Sequence, residues 1–197
     1  MNLSERAISW LRAQERVPAI TDQGRIIAAI QQAGAPVFEP VLQFQEEYGG
    51  LVLYAGRVPL AFGIVHLTTR TFWKPETVAV YFEEGIWYFE CCNTQYPMEF
   101  CIDQNGHYLE DYDPIATSFD KYIEWMAMSD ELYSAGWRAI DDWFATSPEL
   151  AERFIREHSL RRIPEASDEY SGWWLGDEEG LKKKGSWWCY LRKAITC

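Results

Sequence analysis

The hydrophobic pattern of the chain changes character along its length. Up to Gly50 the apolar residues recur at helical spacing, as in Ile26, Ile27 and Ile30, and predict three helices. Ser4 and Asp22 stand at N-cap positions of the first two helices, and Gly49-Gly50 ends the third. From Leu51 onward, short β-branched and aromatic runs bounded by glycine, proline or charge predict five or six strands.

The stretch from Trp87 to Met128 has the clearest local signals. Asn105-Gly106 predicts a two-residue hairpin of type I′, in which both central residues need a positive φ. Asp113-Pro114 is then expected to end the second strand. Thr117 or Ser118 should cap a helix, with Asp120 as the capping-box acid for Thr117.

The C-terminal third adds helices and a hairpin. One helix is predicted to start at Ser129-Asp130, with Tyr133, Trp137, Ile140 and Phe144 on one face. A second begins at Ser147-Pro148-Glu149. The segments 172–175 and 186–191 predict two strands around a charged turn, 177–184.

Helices, then consecutive strands, then helices favour an α+β fold over βαβ alternation. We expect one domain over residues 1–197, with an antiparallel or mixed sheet of about five or six strands packed by N-terminal and central helices. Residues 129–197 would be a helical and β-hairpin extension packed on a core formed by residues 1–128.

Charge is distributed unevenly. Residues 75–120 contain ten acidic side chains and neither Lys nor Arg, within a chain of net charge −12. Residues 1–128 carry 8 basic and 17 acidic side chains, and residues 129–197 carry 10 and 13. Such a surface disfavours binding to a nucleic-acid backbone and suits a basic protein partner. An ordinary solvated acidic surface explains the same composition equally well.

Cysteine usage and the N-terminus bear on location. The five cysteines are odd in number, residues 1–6 contain no apolar signal segment, and no uncharged run is long enough to span a membrane. We therefore expect a cytoplasmic protein with reduced thiols and no membrane contact. Cys91-Cys92, Cys101 and His107 do not have the spacing of a metal knuckle, so neither a metal nor a cofactor is expected.

Two groups of residues bear on an enzymatic interpretation, and the second leaves it open. None of His66, His107 and His158 stands in a recognised nucleophile motif, which argues against a catalytic role. The acid pairs Glu83-Glu84 and Asp111/Asp113 could act in a hydrolase, with tryptophans stacking on sugar, if their carboxyl groups were about 5–10 Å apart.

Trp173-Trp174 and Trp187-Trp188 lie on the two predicted C-terminal strands. Neighbouring residues on a strand alternate between its faces, so one indole of each pair should lie inward and one outward. The inward rings are most simply core, and closure of the core is the favoured role of these tryptophans. Outward rings could form a binding patch or a dimer contact, because Trp is enriched at binding hot spots.

The order of elements resembles the SMI1/KNR4 (SUKH) superfamily over residues 1–128. The resemblance lies in the N-terminal helices, the helix ending Phe44-Gln45-Glu46-Glu47-Tyr48-Gly49-Gly50, the strand 59–63 and the segment 115–123. The usual Leu-Pro before that helix is replaced here by Val37-Phe38-Glu39-Pro40, and Tyr48 stands where Asn often precedes the glycines. Bacterial members are mostly immunity proteins, which bind and neutralise a polymorphic toxin.

The resemblance and the acidic stretch together predict a non-catalytic immunity protein that covers the active or substrate-binding surface of a basic toxin. A hydrolytic enzyme and a regulatory interaction scaffold are the alternatives, and the oligomeric state is left open. The predicted partner-binding residues are Glu46, Glu47, Glu83, Glu84, Asp111, Asp113, Trp174 and Trp187.

Overall fold

The computed structural model describes residues 3–67, 75–140, 144–145 and 147–194. The chain divides into two compact units: a first unit, 13–113, and a second unit, 2–12 together with 114–197. The N-terminal helix is thus grouped with the C-terminal part, and the division at 113 differs from the one expected at 128. That the chain forms one domain stays a prediction.

The described residues form helices and strands in the following order. The helices are α1 (Glu5–Arg12), α2 (Gln23–Gln32), α3 (Glu39–Tyr48), α4 (Phe119–Ser134) and α5 (Pro148–Glu157). The strands are β1 (Glu15–Arg16), β2 (Leu51–Ala55), β3 (Val58–Phe62), β4 (Val80–Glu83), β5 (Ile86–Glu90), β6 (Cys92–Asn93), β7 (Phe100–Asp103), β8 (Tyr108–Glu110), β9 (Asp113–Ala116), β10 (Trp137–Ala139), β11 (Phe144–Ala145), β12 (Arg161–Arg162), β13 (Gly172–Leu175), β14 (Glu179–Lys184) and β15 (Trp187–Lys193).

The α+β class is confirmed, and the strands pair antiparallel in three sheets. Their orders are β1-β2-β3-β6, β4-β5-β7-β8-β9 and β10-β15-β14-β13-β12, with β11 also paired to β15. The strands are therefore spread over more sheets than the expected single one. Asp113, the first residue of β9, is the last residue of the first unit.

A buried amide organises the first unit around α3. Gln45 is fully buried, and its Nε2 donates to the carbonyls of Ile20 (3.0 Å) and Val65 (3.2 Å). Its Oε1 accepts from the backbone N–H of Ile64 (2.7 Å) and of Val65 (3.1 Å). These bonds satisfy an amide that would otherwise be costly to bury, and they join α3 to the segment after β3. Gly49 lies so close to Gln45 that a Cβ on residue 49 would stand 2.4 Å from the backbone carbonyl oxygen of Gln45.

The five-stranded sheet has two chemically different faces. Cross-strand neighbours Phe89, Ile102 and Tyr108 are fully buried on one face, where Phe38 contacts Phe89 edge-on at 6.1 Å between ring centroids. Pairing in register places the alternate residues on the opposite face, including the cross-strand pair Tyr81 and Tyr88. We call this second surface the tyrosine face.

The hairpin at Asn105-Gly106 is present, but its turn is not of type I′. Gly106 has φ +90°, whereas Asn105 does not have a positive φ. The Asp103 carboxylate accepts from the backbone N–H of Asn105 and of His107, both at 2.8 Å, and the Asp103 carbonyl accepts from Gly106 N–H at 3.0 Å. This is a three-residue loop followed by a bulge, which the aspartate side chain selects.

A type I′ turn occurs instead in the preceding hairpin, between β4 and β5. Glu84 and Gly85 connect β4 to β5 as a two-residue loop, and both have a positive φ, +50° and +86°. Asp111 and Tyr112, between β8 and β9, also have positive φ values of +46° and +67°. The tyrosine side chain at the second of these turns is half exposed.

The second unit places its six-stranded sheet between helices. One side buries Trp173, Cys189 and Leu191 with Trp125 and Met128 of α4. The other side buries Leu181 and Trp188 with Ala151 of α5. Ser147 caps α5 as predicted, since its side chain accepts from Leu150 N–H.

Several predicted elements of the second unit are wrong. Ser118, one of the two predicted caps, does cap α4, so Asp120 is not the capping-box acid of Thr117. Asp113-Pro114 begins β9 instead of ending a strand. α4 runs on through residues 129–134 and ends before Gly136, whose φ is +89°. The expected separate helix there does not form, because the following residues pair with β15 as β10.

The charged segment 177–184 was predicted as a turn, and most of it is a strand. β14 lies between β13 and β15 and pairs with both, so the predicted C-terminal hairpin is a three-stranded meander. Lys182, at the centre of β14, is buried. Because an inward-facing position is occupied by a lysine within a run of lysines, the sequence does not show the alternation expected of a strand.

Candidate protein-binding surface

Three tyrosines form a continuous row on the tyrosine face. Tyr81 on β4 stacks on Tyr88 of β5, with ring centroids 5.0 Å apart and an interplanar angle of 13°. Tyr112 makes a T-shaped contact with Tyr81, with ring centroids 5.5 Å apart and an interplanar angle of 65°. We call Tyr88, Tyr81 and Tyr112 the tyrosine row.

The hydroxyl groups of the row are anchored to the sheet. The Tyr81 hydroxyl lies 3.1 Å from Cys101 Sγ on β7, and the Tyr112 hydroxyl donates to Glu99 Oε2. Burial, together with the hydrogen bond to Cys101, raises the pKa of Tyr81. The hydrogen bond to Glu99 raises the pKa of Tyr112 to about 12. Both phenols stay neutral well above pH 7, and the hydrogen bonds to Cys101 and Glu99 hold their rings in place.

Carboxylates lie at one end of the row, beside Tyr88. Burial raises the pKa of Tyr88, and the nearby charges of Asp103, Glu83 and Glu84 raise it further. Glu83 and Glu84 are exposed, whereas Asp103 is buried beneath the hairpin loop. The two glutamates are thus free to meet a partner in solution beside a tyrosine ring.

Carboxylates also lie at the other end, beside Tyr112. Asp111 Oδ1 accepts from the backbone N–H of Glu99 at 2.8 Å, and the Asp111 N–H donates to the Glu99 carbonyl at the same distance. Burial, then the charge of Glu99, raises the pKa of Glu90. Glu90 therefore holds its proton more readily than a solvated glutamate, and the carboxylates at this end of the row are those of Glu99 and Asp111, of which Asp111 is held in place by the backbone.

Cys101 beneath the row, and Cys91 and Cys92 elsewhere in the first unit, are not suited to nucleophilic chemistry. Burial raises the pKa of Cys101 to about 12, and burial raises those of Cys91 and Cys92 as well. A thiol with a raised pKa carries little thiolate at neutral pH. The combination of neutral rings and carboxylates can bind a cation or a basic protein surface.

The structure brings only some of the predicted acids together. Glu83 and Glu84 lie at the Tyr88 end of the row, and Asp111 lies at the Tyr112 end. Asp113 is exposed at the start of β9. Glu46 and Glu47 lie on α3 and not on this sheet; the Glu47 carboxylate accepts from Gln43, and its carbonyl accepts from Arg16.

The two predicted tryptophans belong to the second unit. Neighbouring tryptophans do lie on opposite faces of the sheet, but both faces pack against helices: Trp173 lies with α4, whereas Trp174 and Trp188 lie with α5. Trp187, 50% exposed, is the one outward indole of the four. Trp174 is half-buried, with its ring 5.4 Å from Trp188 and the Arg162 guanidinium 5.9 Å from its centroid. Trp187 is therefore the more accessible of the two predicted binding residues.

The residues of the row were missed from the sequence. The tyrosines stand at strand or turn positions where an aromatic side chain is ordinarily part of the core. A usable signal was present, because Tyr81 and Tyr88 flank the acidic turn at equal distances from its centre.

Other candidate sites can be located as well. His107 Nδ1 lies 3.0 Å from Asp103 Oδ2, and His158 Nδ1 contacts Glu179 Oε2. Among the residues that the structure describes, no group of three or more His, Cys, Asp or Glu side chains is arranged to hold a metal ion. Within the same residues, none of the helices has the length and apolar character needed to cross a bilayer.

Comparison of the chain with protein-family models, curated proteins and solved structures finds no match. Membership of the SMI1/KNR4 superfamily therefore stays a prediction.

Proposed function

We propose that this chain is a non-catalytic binding protein, and specifically a cytoplasmic immunity protein. It neutralises a cognate basic toxin by covering the toxin's active or substrate-binding surface. The observation that carries the proposal is the tyrosine row with carboxylates at both of its ends. The superfamily resemblance supplies the biological setting.

The chemistry of the tyrosine face supports a protein partner with positive charge. Tyrosine gives a large contact area at little conformational cost, and it is enriched at protein interfaces. The flanking carboxylates would speed association with a basic surface and favour it over neutral or acidic ones. Residues 75–120 provide no Lys or Arg of their own to neutralise these charges.

The test is protection from a toxin encoded beside this gene. Candidate toxic domains would be expressed in a susceptible bacterium, alone and together with this chain. We expect the wild-type protein to restore growth and to co-purify with one basic domain. Glu83→Lys with Glu84→Lys should weaken that complex at least about tenfold, because like charges would then meet across the interface.

A matched control comes from another pair of adjacent exposed acids. Asp177→Lys with Glu178→Lys makes the same charge change in the second unit and should leave protection intact. Equal loss of binding in both double variants would mean that net charge alone matters. The proposal fails if no neighbouring domain is bound, or if the purified protein turns over a substrate.

Two alternatives remain predictions. The half-exposed Trp187 is the observation that favours an interaction scaffold, since it offers an aromatic contact in the second unit. A hydrolase would need two carboxyl groups converging on a substrate. Glu83 and Glu84, the first such pair, lie exposed at a hairpin turn.

A further inference from the structure

We infer that the tyrosine row recognises arginine, so that the partner presents guanidinium groups to it rather than positive charge alone. This inference rests on the proposed function and names the chemistry of the partner's contact residues.

The arrangement of the rings favours a planar cation. Tyr81 contacts both of its neighbours, by stacking on Tyr88 and by a T-shaped contact with Tyr112. Each terminal ring therefore has one neighbour within the row, and Tyr112 is half exposed and Tyr88 partly exposed. A guanidinium can lie flat on such a ring, combining stacking with cation–π attraction, whereas a lysine ammonium is a compact and strongly hydrated point charge.

The carboxylates stand where a stacked guanidinium would need acceptors. Glu83 follows Tyr81 by two residues on β4 and so lies on the tyrosine face, diagonal to Tyr88, and Glu84 follows it in the turn. At the other end Glu99 accepts from the Tyr112 hydroxyl. An arginine on either terminal ring would thus have carboxylate oxygens beside it. Its fork of N–H donors can pair with a carboxylate in two parallel hydrogen bonds, which lysine cannot do.

The row is also held ready for binding. Cys101 and Glu99 engage the hydroxyls of Tyr81 and Tyr112, and the backbone bonds between Asp111 and Glu99 fix the turn that carries Tyr112. Rings that are already ordered lose little conformational entropy when a ligand stacks on them.

The experiment compares two probes of equal charge. Fluorescently labelled nona-arginine and nona-lysine peptides would be titrated with the full chain at fixed ionic strength, and binding would be followed by anisotropy. We expect nona-arginine to bind more tightly than nona-lysine, by about two- to fivefold for each tyrosine ring that an arginine side chain contacts. Tyr88→Leu and Tyr112→Asn should each reduce this preference toward one; asparagine suits the positive φ of residue 112.

The matched control is Tyr54→Leu in the same unit. Tyr54 is 55% exposed and donates to Glu15 Oε2 at 2.6 Å, so it resembles Tyr112 in exposure and in its carboxylate partner. Its replacement should leave the arginine preference unchanged. Urea unfolding of each variant would verify that it is folded at the assay temperature.

The outcomes separate this inference from the proposed function. Equal affinities for the two peptides, both weakened by Glu83→Lys with Glu84→Lys, would overturn arginine recognition and leave a basic partner standing. An arginine preference that survives both tyrosine variants would assign it to the carboxylates and overturn the role of the rings. Failure of both peptides to bind wild-type protein would overturn arginine recognition together with the proposed basic-partner surface.

Discussion

At the scale of single residues, Lys182 has the most unusual environment in the second unit. Its side chain is 96% buried on β14, and its Nζ donates to the Tyr133 hydroxyl at 2.7 Å. The same Nζ lies 5.0–5.5 Å from the ring centroids of Tyr133, Trp125 and Trp173. Burial lowers the pKa of Lys182 to about 8, because desolvation disfavours the charged form.

This environment predicts a pH-dependent contribution to stability. In the unfolded chain the lysine pKa is about 10.4, so between pH 8 and pH 10.4 the unfolded state binds more protons than the folded state. The contribution of Lys182 must therefore rise with pH across that window, by up to about 3 kcal/mol. Relative to Lys182→Met, the wild-type protein should gain stability from pH 7.5 to pH 10, as measured by urea unfolding of both proteins.

The difference between the two proteins isolates Lys182 from the tyrosines and cysteines that titrate in both. Lys193→Met, at an exposed position on β15, provides the control and should show no comparable trend. If wild type and Lys182→Met keep a constant stability difference from pH 7.5 to pH 10, the folded lysine does not release its proton in this range.

At the scale of elements, the β4–β5 hairpin is strained at one residue. Glu84 has φ +50°, and a non-glycine residue in this region costs roughly 1–2 kcal/mol unless its side chain suits it. Asparagine tolerates this conformation and is preferred before glycine in type I′ turns. Glu84→Asn should therefore stabilise the protein by about 0.5–1 kcal/mol in urea unfolding, with an unchanged m-value.

The control for this effect is Glu178→Asn, because Glu178 is an exposed acid without a positive φ. That substitution should change stability by less than about 0.5 kcal/mol. A similar gain at both positions would indicate relief of general charge repulsion instead of backbone strain.

The helix starts and the Asn105-Gly106 turn show which local features the sequence could and could not predict. Helix starts at Ser4, Asp22 and Ser147 were predictable, because a cap acts on N–H groups two or three residues away. The turn type at Asn105-Gly106 was not, since it depends on the hydrogen bonds that the buried Asp103 makes. The local preference of Asn-Gly for a type I′ turn was outweighed by the carboxylate of Asp103, the first residue of the turn.

The candidate site was predictable in charge but not in shape. The acids Glu83, Glu84 and Asp111 follow from composition and turn position. The tyrosine row depends on strand register, which pairs Tyr81 with Tyr88, and on a turn that brings Tyr112 to Tyr81. The two-residue turn at Glu84-Gly85 fixes the pairing of Tyr81 with Tyr88, but the approach of Tyr112 depends on how β5, β7 and β8 pair, and that pairing joins separate stretches of the sequence.

At the scale of the whole molecule, the second unit is assembled from two distant parts of the chain. α1 packs with α4, although more than a hundred residues separate them. Their link is Glu124, whose side chain is only 4% exposed. Its carboxylate accepts from Ser4 N–H, from Ser4 Oγ at 2.8 Å and from Arg6 at 3.2 Å. The same Ser4 hydroxyl accepts from Ala7 N–H and caps α1.

Removing the partners of a buried carboxylate costs about 3–5 kcal/mol, so the second unit should depend strongly on these two N-terminal side chains. Ser4→Ala with Arg6→Ala removes the hydroxyl and the guanidinium but keeps the backbone N–H of residue 4, so we expect a loss of stability near the lower end of that range, about 3 kcal/mol, including roughly 1 kcal/mol for the lost cap. Tryptophan fluorescence during urea unfolding is a suitable measurement, because eight of the ten tryptophans fall within the residue ranges of the second unit. Glu5→Gln with Ser9→Ala changes exposed positions of the same helix and serves as the control. If both double variants unfold at the same urea concentration, α1 is held by its apolar residues alone, and the buried Glu124 is satisfied without Ser4 and Arg6.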